Sequence, residues 1–129
     1  DEFLYEDDLL AIAIMEEKLA EKLKVLPENP LHGEQRNQIF EILQKNQREK
    51  LKNYENYVKI LLLKADERYG GIAESATTEM TRLVDKVKTQ KLLEQKEILD
   101  SKLEDAELAK MEILTEIIKL NKELNSGKR

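Results

Sequence analysis

Cysteine and tryptophan are absent from the 129 residues, histidine occurs once, and there are only two prolines and four glycines. Without cysteine, thiol catalysis, disulfide frameworks and thiolate metal sites are excluded. A single histidine, His32, cannot supply the two- or three-histidine shells of ordinary zinc sites. The Glu-x-x-His pairs of a di-iron helical site do not occur either. No glycine-rich stretch fits a dinucleotide or phosphate loop. The carboxylates are plentiful, but on helices this charged they read as solvated surface. The expectation is therefore a non-catalytic chain with no cofactor, metal or small-molecule substrate. No apolar run approaches the roughly 18 residues needed to cross a bilayer.

What is present points to helix. The chain is 40% hydrophobic and 38% charged, with few aromatics. That balance suits long helices rather than sheet, and 129 residues are enough for one domain with a real core. A net charge of −5 gives no global attraction to phosphate backbones or anionic membranes. The first residues, Asp1-Glu2-Phe3-Leu4, carry neither an initiator methionine nor a signal-peptide n-region. They read as the start of a module within a longer protein. Absence of cysteine, leader and membrane span places the expectation in the cell interior, in the cytoplasm.

Periodicity divides residues 1–129, read as one helical domain, into three helices at about 3–26, 34–68 and 76–125. In the first, Tyr5, Leu9, Ile12, Leu19, Leu23 and Leu26 share a face, with Glu16 at the seam position between Ile12 and Leu19. Its start is acidic (Asp1, Glu2, Glu6, Asp7, Asp8) and its far end basic, as the helix macrodipole favours. The acidic cluster reads as a solvated helix start. Pro27-Glu28-Asn29-Pro30 stops this helix. The next could begin at Asn29-Pro30 as N-cap and first turn, or near Glu34. Gly33 within a first turn costs roughly 1 kcal/mol against alanine, which favours the later start. The second helix has its seam in Leu43, Leu51, Tyr54, Val58, Leu61 and Ala65, interrupted by a polar waist over residues 44–50. Tyr69-Gly70-Gly71 ends it and makes the second and third helices antiparallel neighbours.

The stretch over residues 80–124 lacks glycine and proline and reads as the element along which the other helices lie. Leu99, Leu103, Ala106, Ile113, Ile117, Leu120 and Leu124 step by three and four, with Lys110 breaking the pattern once. Met111, Leu114 and Ile118 widen the stripe beyond a two-stranded seam. Ser101-x-x-Glu104 matches a capping box and offers a break, but the absence of glycine and proline favours one helix of about fifty residues, ~75 Å long. The fold class expected is all-α: an antiparallel bundle of three long helices (four with a break near Ser101), with coiled-coil character in the last. Ile117 belongs to the core in this reading, and Ile117→Asp should unfold or dissociate the domain.

Two surfaces are candidate binding sites. One is the C-terminal end of the stripe: Ile113, Ile117, Leu120 and Leu124. The other is a basic face on the second helix: Lys45, Arg48, Lys52 and Lys59. The leading expectation is a protein–protein interaction module, adaptor or scaffold, that docks a partner helix or peptide. The alternative is a coiled-coil oligomeriser or spacer, in which the last helix pairs with a second copy. Coverage of residues 113–124 within one chain decides between them. Nucleic-acid or acidic-lipid binding on the basic face ranks third, and His32 reads as an exposed turn residue.

Overall fold

The computed structural model describes residues 2–69 and 73–126, with side chains for 2–68 and 75–126. Among the described residues there is no strand, and the chain is all-helical. Helix α1 spans Leu4–Met15 and is followed by a 3-10 helix over Glu17–Val25. Helix α2 spans Glu34–Gln44, a second 3-10 helix covers Arg48–Tyr54, α3 runs over Glu55–Tyr69 and α4 over Ala73–Ser126. The chain divides into two compact units, residues 1–91 and 92–129. The glycines expected to turn the chain after Tyr69 lie outside the described residues.

Three long helices were expected; the first two are each interrupted. Glu16 takes an extended backbone (φ −118°, ψ 92°) and its N–H closes α1 on the Ile12 carbonyl at 2.8 Å. An unbroken α-helix would carry this carboxylate into the seam between Ile12 and Leu19. The break instead leaves Glu16 exposed and returns Ala20 and Leu23 to the interior. A charge without a partner is too costly to bury, so the backbone gives way there.

The chain then turns through Asn29, in the left-handed region at φ 49°, to Gly33 at φ 94°, and α2 begins at Glu34. The later of the two expected starts is the one taken. Pro30 and Leu31 are buried rather than helical. Asn37 fixes them from the first turns of α2: its Oδ1 accepts from the Leu31 N–H at 2.9 Å, and its Nδ2 donates to the Leu31 carbonyl at 2.8 Å.

The polar waist is where the expected second helix ends. Asn46 is left-handed at φ 55°. Its N–H donates to the Leu43 carbonyl, and the Gln47 N–H reaches the Ile42 carbonyl at 2.8 Å. These two bonds form a Schellman cap, in which asparagine replaces the usual glycine. With seven residues from Gln44 to Lys50 offering nothing apolar, a continued helix would gain no burial, and the local cap prevails.

In the unit formed by residues 1–91 the enclosed element is α1. All eight residues from Glu6 to Ala13 are buried, so this helix is surrounded rather than amphipathic. Leu9, Leu10 and Ile12 meet Leu23, Ile39, Phe40, Leu61 and Ala65 in one core. Each such side chain contributes about 1.5–3 kcal/mol on burial. Helix α4 adds Met80, Leu83, Val84 and Val87 to the same core. The stretch over residues 80–124 is therefore not the organiser of the fold: its first two turns serve the core and α1 is the centre. Helix α4 does run without interruption through Ser101. In the second unit, residues 92–126 are α-helix, and all their side chains are exposed except the half-buried Glu94.

Candidate functional site

The basic residues of the expected second helix do not form one face, because the interruption separates them. Lys45, at the end of α2, pairs with Glu41 at 2.6 Å one turn back, and Lys59 in α3 pairs with Glu55 at 3.0 Å. Both are exposed i,i+4 pairs of the kind that contribute a few tenths of a kcal/mol. Arg48 is turned inwards. Its guanidinium donates to the Ala13 carbonyl at 2.7 Å and the Ile14 carbonyl at 3.1 Å. These carbonyls belong to the last turn of α1, which has no intrahelical donors for them. Arg48 is a helix cap, and of the four only Lys52 is exposed with no ion pair among the described residues. The shallow hollow beside these residues, lined by Glu41, Lys45, Asn53 and Tyr54, is polar and open.

The acidic start of α1 is buried, contrary to its reading as a solvated helix end. Consecutive helical residues point about 100° apart, and three consecutive acids meet three different basic side chains. Glu6 accepts from the His32 backbone N–H at 2.7 Å, and its second oxygen lies 2.7 Å from His32 Nδ1. Asp7 accepts from Arg36 Nε at 2.8 Å and Nη2 at 3.2 Å, and from the Tyr57 hydroxyl at 3.2 Å. Asp8 pairs with Arg68 near the end of α3. His32, expected as an exposed turn residue, is also stacked on the Phe3 ring at 4.1 Å. The hydrogen bond it donates to Asp7 holds the Arg36 guanidinium above its ordinary pKa, and burial followed by the Asp7 charge pushes the Tyr57 phenol up. Each of these groups is engaged by protein, and the cluster clamps α1 to α2, to α3 and to the turn at His32 that precedes α2. Among the described residues no group of His, Asp and Glu is arranged to hold a metal ion.

The remaining candidate is the stripe in the second unit. Ile113, Ile117, Leu120 and Leu124 are 61%, 47%, 52% and 65% exposed. The placement of Ile117 in the core of the chain is thus overturned. The exposure continues back through Leu103 and Leu99, and sideways through Met111, Leu114 and Ile118. Scattered apolar side chains are ordinary on any surface; here they form a row with helical spacing over about seven turns, interrupted once at Lys110.

No family model matches the chain, and no match was found among the curated proteins or the solved structures. No helix among the described residues is long and apolar enough to cross a membrane.

Proposed function

We propose that the protein is a non-catalytic assembly module: residues 1–91 form a folded head, and the 92–129 unit pairs its apolar stripe with another helix in a coiled coil. The observation that carries this reading is the exposure of Ile113, Ile117, Leu120 and Leu124 in a row with helical spacing. A single α-helix in water gains little from such a row, whereas pairing buries it. An adaptor that docks a foreign helix would use the same face. Self-association takes precedence because the seam complements itself, as set out below. The basic-face reading has lost its main support, since Arg48 is spent on α1 carbonyls and Lys45 and Lys59 on neighbouring glutamates. The lack of cysteine accords with a reducing compartment, and we place the module inside the cell on that ground.

Sedimentation of Ile117→Asp and Leu120→Asp variants tests the proposal. Each should lower the assembled mass to that of one chain while leaving the thermal unfolding of the head unchanged. Assembly that survives both substitutions, or unmodified protein that never assembles, would overturn it.

A further inference from the structure

Resting on that reading, we propose that the partner of the helix over residues 92–126 is a second copy of the same helix, running antiparallel, with the twofold point between Met111 and Glu112. The seam steps assign Leu103, Lys110, Ile117 and Leu124 to heptad position a, and Leu99, Ala106, Ile113 and Leu120 to position d. All lie in unbroken α-helix with exposed side chains.

A parallel pair would set each residue against its own copy. Lys110 would meet Lys110 in a closed layer, Ala106 would meet Ala106 and leave a void, and β-branched Ile113 would occupy d, where two-stranded parallel coils prefer leucine. An antiparallel pair matches a with d, and one register removes all three defects. Lys110 then lies opposite Ile113 of the second copy, and the small Ala106 opposite the large Ile117. Leu103 meets Leu120, and Leu99 meets Leu124. The seam closes end to end in eight layers, burying on the order of 1,500 Å², the size of a specific, stable interface.

The flanking charges select the same register. It brings Lys102 of each copy beside Glu123 of the other, giving two opposite-charge pairs, and sets no like charges together. Moving one heptad one way places Glu116 against Glu116; moving one heptad the other way places Glu107 against Glu107. Both shifts pair like charges at the midpoint, where symmetry leaves no alternative partner. Met111, Leu114 and Ile118 of both copies fall on one side around the midpoint, which accounts for the width of the stripe.

Engineered thiols test orientation and register directly, because the chain has no cysteine of its own. Leu103→Cys and Leu120→Cys full-length variants would be mixed in a glutathione redox buffer and resolved on non-reducing gels. The mixture should give the cross-linked 103–120 species, and each variant alone should stay reduced. Lys102→Cys with Glu123→Cys repeats the test at flanking positions, where the core is untouched. Self-cross-linking of each variant alone means a parallel pair and overturns the inference while leaving assembly intact. Absence of any cross-link in a protein that still has the mass of two chains also overturns it. Absence of cross-links with the mass of one chain overturns both the inference and the assembly reading.

Discussion

Replacing Asp7 by alanine removes the acceptor for two Arg36 bonds and the Tyr57 hydroxyl in one step. The Asp7 side chain is 8% exposed and that of Arg36 18%, so the guanidinium would be left facing a methyl group with little water to replace the carboxylate. Breaking a buried pair from one side costs about 3–5 kcal/mol. The partial exposure of Arg36 places this case at the low end, about 3 kcal/mol. In a unit of this size each kcal/mol moves the midpoint by about 4–8 °C, so Asp7→Ala should lower the Tm by ~15 °C in a circular-dichroism melt. Arg36→Met gives the second corner of a double-mutant cycle. The double variant should be less destabilised than the singles combined by about 2 kcal/mol, since neither charge is then stranded. An Asp7→Ala protein that melts within about 2 °C of the unmodified chain, or a cycle with no coupling, would refute the buried clamp.

Further outcomes follow from other parts of the structure. Tyr57 has its pKa raised in the folded state, so its stabilising contribution is complete below the unfolded value near pH 10 and is lost as pH rises through the folded value. Denaturant melts between about pH 9 and 12 should therefore show a shallower alkaline decline for Tyr57→Phe than for the unmodified chain. Phe40→Ala empties a position that is 1% exposed and should cost about 3–5 kcal/mol in urea unfolding. Gly33→Ala meets no steric obstacle but keeps φ at 94° and ψ at 146°, a conformation nearly confined to glycine, and should cost about 1–3 kcal/mol by the same assay. Lys102→Glu should weaken self-association about tenfold by turning two attractive pairs repulsive, and Lys102→Glu combined with Glu123→Lys should restore it.

The sequence marked where the helices would fail without saying how. Glu16 and the waist around Gln47 were both visible as polar residues in apolar seams, and both are breaks in the structure. Periodicity cannot distinguish a tolerated polar layer from a turn, because the choice depends on what the neighbouring elements bury. Gly33 and the prolines before it were legible for a local reason: their φ preferences act within a few residues. The burial of Glu6, Asp7 and Asp8 was not legible, since their partners His32, Arg36, Tyr57 and Arg68 lie 26 to 60 residues away. A run of acids at a helix start has the same composition whether it is solvated or clamped. Arg48 was misassigned for the same reason: a lysine-rich neighbourhood suggested a surface, while the carbonyls it caps belong to α1. The stripe over residues 99–124 was read correctly as a stripe, and only its place in the core of the chain was wrong. Hydrophobic spacing identifies an apolar face and is silent on what surrounds it.

The central claim is that this face is covered by another copy. Light scattering on the unmodified chain across a dilution series tests it most directly. The unmodified chain should show twice the 15.1 kDa chain mass at micromolar concentration, falling towards one chain on dilution. A mass of 15.1 kDa at every concentration would contradict it.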